Sequence, residues 1–117
     1  MKTPENFDVN LGTLDEFYES CVDETDFGHN GIWYEVAWGE EGGWDIYFMD
    51  KEFYMNNRKW YETAKKEHFE TLCDLAFNFK LKNDGRTIAE YICDYNKIPR
   101  YVVPIPAFAN DPERRNW

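Results

Sequence analysis

The side chains with the clearest chemical potential in this sequence are carboxylates, and most of them lie in its first half. Residues 1–50 hold thirteen Asp or Glu and one basic residue, whereas residues 51–117 hold ten acidic and twelve basic residues. Between Thr3 and Asp50 there is no Lys or Arg, where ordinary usage would place about six. Carboxylates without interspersed cations create a field of one sign, which attracts and selects basic partners.

Two interpretations of this acidic half are open. A run of charge is often only a solvated face that keeps a protein dissolved. Here, however, the run is interleaved with aromatic residues that favour folding: Phe17, Tyr18, Trp33, Tyr34, Trp38, Trp44, Tyr47 and Phe48. A folded surface of one sign is destabilised by self-repulsion, so we favour an interpretation in which the acidic surface has a function.

Other kinds of chemistry have weaker support in the sequence. His29 lies in a glycine-bearing turn and is expected at the surface, whereas His68 is expected at the core or its boundary. Neither has a Cys or a second His at metal-ligand spacing. The three cysteines form no CxxC motif and are expected to be reduced thiols: Cys21, Cys73 and Cys93. No nucleophile elbow, P-loop or dinucleotide fingerprint is present, so we predict no catalytic residues, no metal and no cofactor.

The bulk composition restricts the class of protein. The chain has 117 residues and suits one domain, 1–117, with an acidic half 1–50 and a mixed-charge half 51–117. A net charge of −10 argues against direct binding of nucleic acid or of anionic membranes. No segment is apolar enough to span a membrane and the start does not resemble a secretion signal. We therefore expect a cytoplasmic, monomeric binding protein.

A helix is predicted over residues 13–26. Thr13 and Glu16 have the spacing of a capping box, and apolar residues recur behind them at helical spacing: Leu14, Phe17, Tyr18, Cys21 and Val22. Gly28 and Gly31 are expected to end the helix.

The acidic residues of this predicted helix form a stripe. Asp15, Glu19 and Asp23 are each four residues apart and would rise about 6 Å per step. Duplex DNA carries a phosphate about every 3.4 Å along each strand, so the stripe would match alternate phosphates. Glu16 and Glu24 flank it.

A β-hairpin is predicted next, with strands at 32–38 and 44–49 and a glycine-rich loop at 39–43. If Trp38 faces Trp44, the core face holds Tyr34, Val36, Trp38, Trp44, Ile46 and Phe48. The outer face then holds Trp33, Glu35, Ala37, Asp45, Tyr47 and Met49. Glu40 and Glu41 would lie at the hairpin tip. A slip of one residue would exchange the two faces.

The second half is predicted to be mainly helical. Residues 50–57 form a polar connection with a short helical turn, and a long helix follows over 57–79. A turn at 83–85 precedes a helix over 87–96, with a strand pair across that turn as the competing interpretation. The proline-bearing last twenty residues are expected to be irregular. The fold class predicted is α+β, a small single domain in which an antiparallel β-hairpin or small sheet packs against two or three helices.

In size and acidic character the chain resembles the small bacterial DNA-mimic proteins, among them one that sequesters the histone-like HU protein. The residues that carry the resemblance are Asp15, Glu16, Glu19, Asp23, Glu24, Asp26, Glu35, Glu40, Glu41 and Asp45. It implies that these carboxylates occupy the DNA-binding site of a basic protein such as a histone-like nucleoid protein, without catalysis.

Two other functions remain open from the sequence. An immunity protein or antitoxin that inhibits a basic nuclease toxin would be equally small, acidic and rich in Tyr and Trp. A small-ligand-binding module would instead present Trp33, Trp38 and Trp44 in a concave aromatic pocket.

Overall fold

The computed structural model describes residues 12–21 and 24–100, which form a four-stranded antiparallel sheet and four α-helices. The elements in chain order are α1 (Leu14–Cys21), β1 (Thr25–His29), β2 (Ile32–Trp38), β3 (Trp44–Asp50), α2 (Lys51–Asn56), a 3-10 helix (Trp60–Glu62), β4 (Lys65–Phe69), α3 (Leu72–Asn78) and α4 (Ile88–Tyr95). The strands lie in the order β1-β2-β3-β4. The predicted α+β class is confirmed.

The central hairpin has the predicted register. Trp38 lies opposite Trp44, and the pairing continues along both strands to Ile32 and Asp50. At the loop, the Gly39 amide donates to the Gly43 carbonyl over 2.9 Å. Gly43 has a φ of +69°, in the left-handed region that a residue without Cβ adopts readily.

The inner face of the sheet forms the core with α1, α3 and α4. Phe27 of β1 stacks on Tyr34 of β2 with 4.9 Å between ring centroids, and Phe17 of α1 meets Phe27 edge-on at 6.4 Å. Leu72 and Leu75 of α3 are fully buried in the same cluster. The predicted inner-face residues Tyr34, Val36, Trp44 and Ile46 are fully buried, Phe48 is half-buried, and Trp38 is exposed.

The outer face of the sheet is partly covered by α2 and the 3-10 helix, which the sequence did not predict. Tyr54 of α2 stacks on Trp33 at 4.6 Å, and Trp60 of the 3-10 helix meets Tyr47 edge-on at 5.4 Å. Trp33 is consequently 1% exposed although it lies on the face opposite the main core.

The prediction of one helix over 13–26 is wrong beyond Cys21. Glu24 has a φ of +61°, which is incompatible with a continuing right-handed helix. The next residues form β1, with Thr25 opposite Val36 and Asp26 opposite Glu35. Gly28, expected to end the helix, lies inside this strand. Asp26 is therefore a strand residue.

The prediction of a long helix over 57–79 is also wrong. This region contains the 3-10 helix, the edge strand β4 and α3. Thr71 lies between β4 and α3 and caps the helix, because its hydroxyl oxygen accepts a 3.0 Å hydrogen bond from the Asp74 amide. Pairing of β4 with β3 outweighs the local helical preference of its sequence, as tertiary context often does. The helical turn expected within 50–57 is present as α2.

Helix α4 confirms the helix that the sequence predicted over 87–96. Thr87 and Glu90 form a complete capping box at the start of α4. The competing strand interpretation is reduced to one isolated bridge between Lys80 and Thr87. The predicted lead-in over 1–11 and the irregular tail over 101–117 lie outside the described residues.

Candidate functional site

The strand register brings acidic residues from distant parts of the sequence to one end of the sheet. Glu24 immediately precedes β1, whose first residue lies opposite Val36 near the end of β2. Glu40 and Glu41 form the adjacent hairpin loop, and both are exposed. Carboxylates therefore lie both in the segment that leads into β1 and in the loop between β2 and β3, at the same end of the sheet.

The fourth strand adds another carboxylate to the same end. Phe69, the last residue of β4, lies opposite Trp44 beside the hairpin loop. Glu70 follows it and is exposed. We name the four exposed carboxylates the acidic end: Glu24, Glu40, Glu41 and Glu70. Glu70 was missed because the sequence placed it on a helix.

An exposed tryptophan lies at the acidic end. Trp38 is 44% exposed, although it belongs to the inner face of β2. Its ring stacks on the fully buried Trp44 with 4.0 Å between centroids. The acidic end thus combines carboxylates with an aromatic ring that packing holds in place, and Trp is enriched among the residues that dominate protein interfaces.

Beside the hairpin, a cleft of about 390 Å³ is lined by residues of both charge signs: Glu40, Glu41, Asp45, Lys66, His68 and Glu70. Asp45 is buried and binds two neighbours on β4. Its Oδ1 lies 2.8 Å from His68 Nδ1 and its Oδ2 lies 3.6 Å from Lys66 Nζ. The carboxylate of Asp45 thus contacts two side chains within the fold, and we do not count Asp45 in the acidic end. His68, expected in or near the core, lies on the exposed strand β4.

Two of the acidic residues predicted on the first helix, Glu16 and Glu19, do lie on α1 and are exposed. The Oε1 of Glu16, however, accepts from the Thr13 amide over 3.0 Å and completes the predicted capping box. Asp15 belongs to α1, and Asp23 lies outside the described residues. The helix runs toward the acidic end, since the chain passes from Cys21 to β1 there.

Glu35 lies on the other side of the sheet, among aromatic residues. Its Oε1 accepts from Trp33 Nε1 over 3.1 Å, and it also hydrogen-bonds to Tyr54. Burial raises the pKa of Glu35 to about 7, and the nearby carboxylates of Asp26 and Glu24 raise it as well, against the lowering effect of the Trp33 hydrogen bond. Burial raises the pKa of Tyr54 to about 12, with Glu35 adding to the shift.

The predicted acidic residues therefore do not share one face. Asp26 and Glu35 are directly paired on the outer face of the sheet, whereas the core contacts of α1 are on the inner face. What the structure brings together is the end of the sheet, where Glu24 joins the hairpin tip.

Two arginines of the second half, Arg86 and Arg100, form ion pairs with acids of the same half. Arg86 Nη2 lies 2.7 Å from Asp84 Oδ2, and Arg86 Nη1 lies 3.1 Å from Asp94 Oδ2. Arg100 contacts Asp94 at 2.6 Å and Glu90 at 3.2 Å. These cations are therefore engaged away from the acidic end.

His29 also belongs to this network. Its Nε2 lies 2.6 Å from Asp84 Oδ2, and its ring meets Tyr91 edge-on at 4.8 Å. His29 is 9% exposed, so the expectation of a surface histidine is wrong. Hydrogen bonds from Arg86 hold the pKa of Asp84 well below its usual range, with His29 contributing.

The three tryptophans considered for a ligand pocket are separated. Trp33 is buried on the outer face, Trp44 is buried on the inner face, and Trp38 stacks on Trp44. They cannot line one shared aromatic pocket. A separate open cavity of about 310 Å³ is lined by other residues, including Phe48, Met49 and Phe53.

Within residues 12–21 and 24–100, no group of three or more His, Cys, Asp or Glu side chains could hold a metal ion. No helix in these ranges is both long and apolar enough to cross a bilayer.

Comparison with known proteins does not assign a family. No family model matches the chain. No curated protein and no solved structure matches it with significant similarity.

Proposed function

We propose that this protein binds a basic DNA-binding protein of the histone-like HU type and that its acidic end occupies the site of DNA phosphates. The observation that carries the proposal is the strand register, which gathers exposed carboxylates from three separate segments of sequence. No catalysis and no cofactor are part of the proposed function, and the proposed compartment is the cytoplasm, where such a partner would be found.

The dimensions of the acidic end support this proposal. The sheet places β1 and β4 three strand positions apart, which corresponds to about 14 Å at the usual strand spacing. Four phosphate steps along one strand of duplex DNA also cover about 14 Å. Glu24 and Glu70 lie at the two edges of this span and the hairpin tip lies between them.

The charge distribution supports the proposal as well. Arg86 and Arg100 form their ion pairs with acids of the second half, and Thr3 to Asp50 supply no Lys or Arg. Lys66 and His68 line the cleft beside the hairpin but both contact Asp45, so the four carboxylates of the acidic end outnumber the cations near them. The resulting negative field steers a basic partner toward the acidic end and weakens with added salt.

Charge reversal at two locations tests the proposal. The E40K/E41K variant alters the hairpin tip, whereas E52K/E62K makes the same charge change at exposed positions near the opposite end of the sheet. Affinity for a purified histone-like HU dimer would be measured by calorimetry. We expect E40K/E41K to lose at least about tenfold in affinity, because like charges across an interface are repulsive, and E52K/E62K to lose much less.

Equal losses from the two variants would show that only net charge matters and would reject the acidic end as the binding surface. Absence of binding by the unaltered protein at low salt would reject the proposed partner class.

A further inference from the structure

We propose that the open cavity at the end of the sheet opposite the acidic end binds a small zwitterion with an apolar side chain, which is the chemistry of an apolar α-amino acid. The cavity measures about 310 Å³ and is lined by both apolar and charged residues, among them Ile32, Phe48, Phe53, Asp50 and Lys65. The site is separate from the acidic end and does not rest on the proposed function.

The strand register places the two charged residues beside the apolar ones on one face of the sheet. Ile32, the first residue of β2, lies opposite Asp50, the last residue of β3. Lys65, the first residue of β4, lies opposite Phe48. Directly opposite residues project to the same face of a sheet, and so do alternate residues along one strand. Asp50 and Lys65 are therefore diagonal neighbours on the inner face, with Cα atoms about 7–8 Å apart.

The apolar part of the cavity comes from the sheet and from α2. Ile32 and Phe48 pack against the hydrophobic core but are only half-buried. Phe53 adds an aromatic side chain from α2 and is half-buried as well. Ligand cavities in proteins range from about 300 to 1,000 Å³. This cavity lies at the lower limit, which favours a ligand with one side chain of the size of leucine or phenylalanine.

The two charged side chains are not engaged within the described part of the chain. Across residues 12–21 and 24–100, neither Asp50 nor Lys65 takes part in an ion pair. Asp50 precedes α2, but its side chain does not cap the helix. Lys82, whose Nζ lies 4.6 Å from the centroid of the Phe48 ring, is by contrast paired with Glu67 at 3.5 Å. One carboxylate and one ammonium group are thus available together beside the cavity.

A ligand that carries an ammonium group and a carboxylate on one carbon satisfies both protein charges at once. Its ammonium group donates to the carboxylate of Asp50, and its carboxylate accepts from the ammonium group of Lys65. Both contacts are charge-assisted hydrogen bonds. The side chain of the ligand covers the apolar lining and removes that surface from water, which is favourable. A simple acid or a simple amine leaves one of the two protein charges without a partner, so the arrangement selects a zwitterion.

The test is a titration of the intact, isotope-labelled protein with L-phenylalanine, followed through the NMR shifts of its backbone amides. We expect saturable shifts centred on Ile32, Phe48 and Lys65, and none at Glu40 or Glu41 of the acidic end. Two further probes each lack one charge, since phenylpropionate has no ammonium group and phenylethylamine has no carboxylate. Each should bind at the cavity at least about tenfold more weakly than phenylalanine, because one hydrogen bond to a charged group is lost.

Substitutions separate the two charged contacts. D50N should remove the advantage of phenylalanine over phenylpropionate, and K65Q should remove its advantage over phenylethylamine. Both positions are exposed, so neither change removes a buried contact. E41Q and K80Q make the same charge changes at exposed positions outside the cavity, and both should leave the two preferences intact.

Absence of saturable shifts with phenylalanine, or shifts centred away from the cavity, would overturn the inference and leave the proposed function untouched. Equal affinity of the unaltered protein for phenylalanine and for either singly charged probe would overturn it as well, because the cavity would then not select a zwitterion. Preferences that persist in both D50N and K65Q would reject these residues as the charged contacts and with them the inference.

Discussion

Asp45 of β3 and His68 of β4 are joined across neighbouring strands by a 2.8 Å contact between Oδ1 and Nδ1. Asp45 also lies within 3.6 Å of Lys66. An acid from the stretch between Thr3 and Asp50, which has no Lys or Arg, thereby contacts two basic groups from the second half of the sequence. This contact stabilises the pairing of the edge strand and removes one predicted carboxylate from the candidate surface.

Replacement of Asp45 separates these two roles. D45N removes the charge that Lys66 and His68 face, and we expect it to lower the free energy of unfolding by about 2 kcal/mol. Urea denaturation would measure this change. Affinity for a histone-like HU dimer should stay the same, because the carboxylate is buried; a loss comparable to that of E40K/E41K would place Asp45 in the binding surface after all.

Glu35 predicts a specific dependence of stability on pH. Its pKa is raised from 4.5 to about 7 in the folded protein, chiefly by burial. The folded state therefore favours the protonated carboxyl, whose stabilising contribution is complete below about pH 4.5. It is lost progressively as the pH rises through 7, where the ionised group lies beside Asp26.

The E35Q variant mimics the protonated carboxyl and should remove this dependence. Its free energy of unfolding should exceed that of the unaltered protein at pH 8, and the difference should disappear toward pH 4. E52Q, at an exposed position of α2, serves as the control and should follow the unaltered protein throughout. A constant difference between E35Q and the unaltered protein over this pH range would contradict the account of Glu35.

Asp84 predicts the opposite pH dependence. Hydrogen bonds from Arg86 lower the pKa of Asp84 below its ordinary value of 3.8. Its stabilising contribution is therefore present above about pH 4 and is lost as the pH falls further. The side chain is 6% exposed and also contacts His29, so D84N leaves two basic groups poorly compensated. We expect D84N to cost about 3 kcal/mol of unfolding free energy at pH 7.

An exposed ion pair offers the control for D84N. Glu67 lies 3.5 Å from Lys82, and both side chains are substantially exposed. E67Q should therefore cost less than about 1 kcal/mol. Equal effects of D84N and E67Q in denaturant titrations would show that the Asp84 network does not hold β1 to the turn before α4.

Local features of the sequence predicted the parts of the fold that depend on local interactions. The hairpin register followed from the alternation around Trp38 and Trp44 and from the glycines between them. Both capping boxes were predicted from the spacing of Thr13 with Glu16 and Thr87 with Glu90, and both are present.

The missed elements depend on contacts between distant residues. Strand β4 has mostly exposed side chains, so it lacks the apolar alternation that indicates a strand, and its pairing with β3 decides its conformation. Thr25 and Asp26 of β1 were assigned to a helix because Gly28 and Gly31 were expected to end it. Glu70 was missed at the candidate site because a helix was predicted where β4 and the residue after it lie. The burial of Asp45 depends on a histidine that lies 23 residues away in the chain.

The central claim is that the acidic end and DNA compete for one site on a basic partner. The most direct measurement is the fluorescence anisotropy of a labelled DNA duplex bound to a purified histone-like HU dimer, as this protein is added at fixed salt. We predict that the duplex is displaced completely, and that E40K/E41K requires at least about tenfold more protein for the same displacement. A stable complex that contains the duplex, the partner and this protein together would contradict the claim.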